Sequence, residues 1–345
     1  MVSNIDKENM YQSIKDFPNH LESASDLVSK VKIKNIPNKV NNLVISGMGG
    51  SAIGGDVVIE IVKNDIDIPI QVIREYNLPN WVNKDTVVIC SSYSGNTEET
   101  LSAFKDAIKR KAMIFGITTG GILGKKLDKH NRDKIIIPKG LQPRAALAFS
   151  VISIFYYFRK LGILKSSFGR RLKIGLKRIE KKQKKYCLEK ISNPCYLLAK
   201  NIYRKVPIFY SCSTSYTVIA KRIKGQLAEN SKMLSYFGEL PELNHNEIEG
   251  WKNNENILKH FVVIWIKDSN DHPRVKIRQL ISGEILKDIG IKQFFIEMDG
   301  ETFQDRFLNM IHFGDWLSYW CAILHKSDPT PVTKIEKLKT KLESY

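Results

Sequence analysis

The chain has no CxxC pair: its five cysteines, Cys90, Cys187, Cys195, Cys212 and Cys321, stand apart in sequence. That excludes the common structural zinc and dithiol redox motifs and fits a reduced, cytoplasmic protein. No cluster of His, Cys, Asp or Glu has metal-ligand spacing, so no metal is expected. Long apolar runs are also missing. The longest, residues 145–158, is too short to span a bilayer and contains Ser150 and Ser153. We read it as a buried helix and expect no membrane association. The first residues, Met1-Val-Ser-Asn-Ile-Asp-Lys-Glu8, are mixed in charge and lack the apolar core of a signal peptide, so none is expected. Acidic residues are scarce: 36 against 54 basic ones, a net charge of +18. Much of the surplus lies in residues 159–190, including Lys181-Lys-Gln-Lys-Lys185. Such charge could hold nucleic acid nonspecifically. No aromatic or arginine-bearing recognition motif accompanies it, so a solvated helix face is expected, with no specific nucleic-acid partner.

What is present is an alternation. At 345 residues the chain can form two domains, each with a sizeable core. After a helical segment at 5–32, strands are expected at 42–46, 69–74, 86–90, 112–118 and 134–138, with helices between them. A helical connector follows. Strands at 206–212, 261–267 and 291–298 then alternate with helices at 218–233, 273–290 and 303–325, and a last helix covers 332–343. This spacing predicts an α/β protein with two mostly parallel sheets flanked by helices. The expected layout is a first domain at 1–150, a helical connector at 151–190, a second domain at 191–325 and a helical tail at 326–345. Both halves share the plan strand, hydroxyl-rich turn, helix, which suggests a duplicated fold.

The stretch Cys90-Ser-Ser-Tyr-Ser-Gly-Asn-Thr-Glu-Glu-Thr100 follows a strand and opens a helix with Thr97 placed as an N-cap. An ordinary capped turn needs fewer hydroxyls than Ser91, Ser92, Ser94 and Thr97 supply. The free N–H groups, the helix dipole and these hydroxyls suit a bound phosphate. Gly47-Met-Gly-Gly-Ser-Ala52 satisfies the G-x-G-x-x-G/A dinucleotide pattern, with Glu75 near the place of a ribose-binding acid. Gly54, Gly55 and Ser51 suit a small polar ligand at least as well. Gly120-Gly-Ile-Leu-Gly-Lys125 has the wrong spacing for a P-loop. In the second half, Glu229 and His245 are acid–base candidates on adjacent segments, although either alone would pass for a surface helix glutamate or a loop histidine.

Five motifs occur together and in order: Gly47-Met-Gly-Gly-Ser-Ala-Ile-Gly-Gly-Asp56, Ser92-Tyr-Ser-Gly-Asn-Thr-Glu-Glu-Thr100, Pro143-Arg-Ala-Ala146, Leu227-Ala-Glu-Asn230 and Glu242-Leu-Asn-His-Asn246. The set resembles the bifunctional phosphoglucose/phosphomannose isomerases of archaea and some bacteria. These are two-domain sugar-isomerase (SIS) proteins of the phosphoglucose isomerase superfamily. The resemblance covers about residues 40–342. SIS domains in general carry the hydroxyl loop; its combination with the Glu and His segments is what marks the isomerases.

The resemblance implies an aldose–ketose isomerase acting on glucose 6-phosphate and mannose 6-phosphate through a cis-enediol, with no cofactor. Gly50, Ser51, Ser92, Ser94 and Thr97 would hold the substrate, the hydroxyl loop gripping its phosphate. Glu229 would be the base, and Arg144 would stabilise the enediolate. His245 would assist ring opening, delivered from the partner subunit of a homodimer, beside a C-terminal lysine. Ile335-Glu-Lys-Leu-Lys339 matches the family's tail pattern and selects Lys339, with Lys334 and Lys337 kept open. Thr330 and Thr333 are both candidates for a threonine that helps admit mannose phosphate. Two other readings stand beside this one. The first is a noncatalytic SIS-domain sugar-phosphate sensor, although the segment before the first strand is short for a helix-turn-helix domain. The second is an NAD-dependent dehydrogenase using the Gly47 loop.

Overall fold

The computed structural model describes residues 4–164, 168–212 and 215–344, with backbone alone for 168–174. The chain forms two compact units. One is Asp16–Leu176; the other joins Lys177–Tyr345 to the N-terminal residues up to Lys15. The helix expected at 5–32 is two helices, α1 (Met10–Lys15) and α2 (Phe17–Ser29). Pro18 lies in the first turn of α2, where a residue without an N–H starts a helix rather than continuing one.

The first unit continues with β1 (Asn42–Ser46), α3 (Gly49–Val62), β2 (Ile70–Ile73), β3 (Thr86–Ser91), α4 (Glu98–Lys109), β4 (Met113–Thr118), α5 (Gly121–Lys129), β5 (Lys134–Ile136) and α6 (Leu147–Lys160). All neighbouring strands are parallel, in the order β2-β1-β3-β4-β5. The β-branched run Thr86-Val-Val-Ile is buried throughout, as a central strand covered on both faces must be. Val44, Val88, Cys90 and Ile114 meet Ala103, Phe104, Leu123 and Leu127 from α4 and α5 on one face. On the other, α3 packs on α6, and the Phe115 and Tyr157 rings lie 4.8 Å apart.

Helix α7 (Phe168–Tyr186) carries the chain past the unit boundary. Then come α8 (Pro194–Asn201), β6 (Val206–Cys212), α9 (Thr217–Gln226), β7 (Tyr236–Leu240), α10 (Glu255–Leu258), β8 (Phe261–Lys267), α11 (Pro273–Asp288), β9 (Gln293–Glu297), α12 (Phe303–Leu324) and α13 (Thr333–Leu342). Strand β7 was not expected from the sequence. The second sheet is also parallel, in the order β7-β6-β8-β9. Its strands, numbered from β6, repeat the first four positions of the first sheet, in keeping with a duplicated plan.

Helix α12 is buried nearly end to end, and Arg306, Asn309, His312, Asp315 and Ser318 on it are hydrogen-bonded rather than exposed. Part of the basic stretch is paired as well. Arg178 Nε lies 2.8 Å from Asp305 Oδ2, and Lys182 bonds Asp299, so these two cations are not the purely solvated face expected for 159–190. No helix among the described residues is long and apolar enough to cross a membrane.

Candidate active site

In the first sheet, the connections from β1 and β3 leave in opposite directions. The crevice at the carboxyl ends of these neighbours is where ligands bind in sheets of this order. Both motif-bearing segments of the first half lie there. The glycine run is less of a loop than its sequence implies, because α3 begins at Gly49. Its glycines allow close packing. A Cβ on Gly50 would stand 2.5 Å from the Pro143 carbonyl oxygen and 3.2 Å from Arg144 N; one on Gly54 would stand 2.2 Å from Ser150 Oγ. Ser51 is buried, and its Oγ accepts a hydrogen bond from Tyr93 N at 3.2 Å. The 3-10 turn Pro143–Ala145, which carries Arg144, is thus seated directly on the first turn of α3.

The segment between β3 and α4 answers the question of capping. Thr97 occupies the N-cap position of α4, yet its side chain makes no cap hydrogen bond. Its Oγ1 lies 2.9 Å from Ser92 Oγ, which also accepts from Gly95 N at 3.1 Å. Ser94 Oγ accepts from Asn96 N at 3.2 Å. Ser92 is buried, Thr97 half-buried and Ser94 exposed. Gly95, at φ +72°, sits where a Cβ would meet the Gly120 carbonyl oxygen at 2.0 Å. Leu123 N donates to Gly95 O at 2.8 Å, and Ile122 N to Asn96 Oδ1 at 3.0 Å. The Gly120-Gly121 segment, no P-loop, is the wall against which the hydroxyl loop is built. The sequence offered no signal for that beyond two glycine turns far apart. Cys90, at the foot of the loop, is inert: burial pushes its thiol up to about 12.

Arg144 is buried, and its Nη1 donates to Gln142 Oε1 at 3.3 Å. The preceding segment is fastened by Tyr93, whose hydroxyl donates to Pro138 O at 3.0 Å and accepts from Leu141 N at 2.9 Å. The first unit therefore brings Gly50, Ser51, Ser92, Ser94, Thr97 and the Arg144 turn to one end of its sheet.

In the second unit, the helix expected at 218–233 ends early. Residues Leu227–Ser231 form one π-helical turn that closes at Lys232 in the left-handed region, φ +57°. A π turn widens the helix and is often found at functional sites. Glu229 lies on it, half-buried. Its neighbours lock the turn to α12. Asn230 Nδ2 donates to Ser318 Oγ at 2.9 Å, and Ser231 Oγ to Ser318 O at 2.6 Å. One turn earlier, Asp315 receives Arg222 Nη2 at 2.8 Å and Gln226 Nε2 at 2.7 Å. Lys232 Nζ donates to Glu229 O at 3.0 Å. Sequence reading missed Ser318 and Asp315, which look like ordinary residues of an apolar helix.

His245 ends the 3-10 turn Glu242–His245, where a loop was expected. It is exposed, and its ring has no hydrogen-bond partner among the described residues. Lys339, Lys337 and Lys334 all lie on α13, exposed. Thr330 is buried, and its N–H donates to Asp328 Oδ1 at 3.0 Å; Thr333 opens α13 and is exposed.

The second sheet has an equivalent crevice at the ends of β6 and β8. Of its hydroxyl-rich turn, Ser213 and Thr214 fall outside the described residues. Tyr216 and Asp268 meet there: the Tyr216 hydroxyl donates to Asp268 Oδ2 at 2.7 Å, and Arg306 grips both carboxylate oxygens at 2.6 and 2.9 Å. Burial pushes Asp268 up, but the bonds from Arg306 and Tyr216 outweigh it and hold the carboxyl below its ordinary range.

Two parallel sheets of this order, with a hydroxyl loop at the first switch point, define the sugar-isomerase (SIS) fold. The fold is similar to that of a hypothetical protein from Thermus thermophilus, with a TM-score of 0.71 at 13% identity over 97% of this chain and 90% of that one. It is equally similar to the C-terminal domain of glucosamine-fructose-6-phosphate aminotransferase from Francisella tularensis, with a TM-score of 0.71 at 14% identity over 93% and 98%. Residues 191–342 match the family described as the bacterial phospho-glucose isomerase C-terminal SIS domain. Two relatives of higher identity, each covered over nearly its whole length, share a name. A bifunctional phosphoglucose/phosphomannose isomerase from Caldicellulosiruptor bescii is 39% identical over 335 residues, 96% of this chain and 98% of its own. Its counterpart from Aquifex aeolicus is 36% identical over 346 residues, 98% and 99%. The chain belongs to the bifunctional phosphoglucose/phosphomannose isomerase family, as its five ordered motifs implied.

Proposed function

We propose that the protein interconverts glucose 6-phosphate and mannose 6-phosphate with fructose 6-phosphate. The observation that carries the proposal is the uncapping Thr97: its hydroxyl turns to Ser92 instead of the helix, leaving a hydroxyl and N–H cradle for a phosphate. The names of the relatives supply the sugars.

In the proposed reaction the open aldose loses its C2 proton to the Glu229 carboxylate. The electron pair forms the C1–C2 double bond, and O1 takes up a proton, giving the cis-enediol. Glu229 returns its proton to C1 while O2 loses one, giving the C2 ketone. Arg144, permanently charged, offsets the negative charge that develops on the enediolate oxygens. The two aldoses differ only at C2 and share this intermediate, so one site serves both. His245 and Lys339 assist ring opening. Ser92, Ser94 and Thr97 bind the unreacting phosphate with Gly50 and Ser51 alongside, so binding energy is used to orient the reacting end. The proposal includes a homodimer in which His245 acts from the partner subunit, and a cytoplasmic location.

The test is a coupled assay on both aldose phosphates with wild type and Glu229→Gln. Wild-type turnover of both is expected, with a loss of about a hundredfold or more in the variant. Full activity of Glu229→Gln would remove that residue as the base. Tight sugar-phosphate binding without wild-type turnover would instead make the protein a sensor.

A further inference from the structure

Helix α11 has an apolar solvent face. Its inner side carries Gln279 and Ser282 beside Leu286, all buried. Gln279 Nε2 donates to Ile266 O at 3.0 Å, and Ser282 Oγ accepts from Asn244 Nδ2 at 2.7 Å. Its outer side carries Ile277, Leu280, Ile281 and Ile285, with Ile289 just beyond, each 43–61% exposed. Five aliphatic side chains so placed leave on the order of 500 Å² of apolar surface, towards the top of what a monomer's largest patch exposes. A helix apolar on its solvent side belongs in an interface.

The stripe has a symmetry of its own. Positions three, four and seven residues from Ile281 share its face of the helix. On the N-terminal side they are Arg278, Ile277 and Arg274; on the C-terminal side, Glu284, Ile285 and Asp288. Two such helices laid antiparallel about a two-fold axis at Ile281 would set Ile277 against Ile285, Arg278 against Glu284 and Arg274 against Asp288. Every cation then faces a carboxylate, as a self-complementary contact requires. A parallel pair would set arginine on arginine. Among the described residues, none of Arg274, Glu284 and Asp288 is engaged in an ion pair within the chain.

We propose that α11 is the self-association face of the protein, paired antiparallel with α11 of a second copy about Ile281. The proposal deepens the homodimer of the isomerase reading and rests on that reading only for what it means to His245. Asn244, next to His245, bonds Ser282 and accepts from Arg278 Nη1 at 3.4 Å. The turn bearing His245 is therefore tied to the helix that would meet the second copy.

Sedimentation velocity on the full chain tests the proposal, across a concentration series and with activity followed in the same samples. Wild type should be dimeric and Ile281→Asp monomeric. Arg274→Asp should weaken the dimer about tenfold, and the double exchange Arg274→Asp/Asp288→Arg should restore it. Ile281→Cys should cross-link to itself through a short bismaleimide. A wild-type monomer, a dimer that survives Ile281→Asp, or a double exchange no better than the single would each overturn the proposal. So would a monomer that co-sediments with phosphatidylcholine vesicles, which would assign the stripe to a membrane surface. An inactive wild-type dimer that Ile281→Asp dissociates would sink the isomerase reading alone; an active dimer indifferent to Ile281→Asp would sink this proposal alone.

Discussion

Ser92 Oγ and Thr97 Oγ1 lie 2.9 Å apart at the mouth of the first sheet, and the threonine leaves the helix beside it uncapped. A capping threonine contributes about 1 kcal/mol, whereas a hydrogen bond to a charged group contributes about 1.5–3 kcal/mol. Thr97→Ala should therefore leave the melting temperature nearly unchanged while lowering kcat/KM about tenfold or more, mainly through KM. Melting curves and steady-state kinetics on one preparation decide it. A lower melting temperature with unchanged kinetics would make Thr97 structural.

Gly50 touches the Arg144 turn, and Gly54 touches Ser150. Gly50→Ala would push against backbone, which cannot rotate aside. It should destabilise the fold by about 1–3 kcal/mol and lower the activity of the molecules that remain folded. Gly54→Ala should destabilise similarly with near-normal activity per folded molecule. Equal activity in both would separate the Arg144 turn from catalysis.

Ser318 holds the π turn through Asn230 and Ser231. Ser318→Ala leaves the buried Asn230 amide without that acceptor, at about 1–3 kcal/mol. If the turn aims Glu229, kcat should fall about tenfold with KM little changed, because the hydroxyl loop is untouched. An unaltered kcat would show that the turn does not set the position of Glu229.

His312 is fully buried on α12, accepting from Trp316 Nε1 at 3.0 Å; burial, then the nearby Arg222 charge, lower its pKa from 6.5 to about 3. The unfolded chain takes up this proton below pH 6.5 and the folded one does not. The associated stability is thus present above pH 6.5 and is lost as the pH falls towards 3. Between pH 6.5 and 5 the loss should be about 2 kcal/mol. His312→Gln should be less stable at pH 7 but flatter over this range in urea unfolding. Parallel slopes would show that another group titrates there.

The sheet-forming runs were legible because parallel strands covered on both faces read as unbroken β-branched stretches, as at Thr86–Ser91. Strand β7 was not: Tyr236-Phe-Gly-Glu-Leu240 is a partly exposed edge with a glycine in its middle, pressed on the Tyr210 ring. The π turn was also hidden, since Leu227–Ser231 has ordinary helical composition and its widening is imposed by contacts with α12. The hydroxyl loop announced itself through composition. Its wall at Gly120-Gly121 did not, because only the fold brings those glycines beside Gly95.

The Tyr216–Asp268–Arg306 cluster has a consequence for stoichiometry. A duplicated ligand-binding plan would ordinarily present two equivalent mouths. Here the first carries the Ser92, Ser94 and Thr97 hydroxyls, while among the described residues of the second Tyr216 and Arg306 converge on Asp268. On the proposed reading of the hydroxyl loop, one sugar phosphate per chain is the expected count.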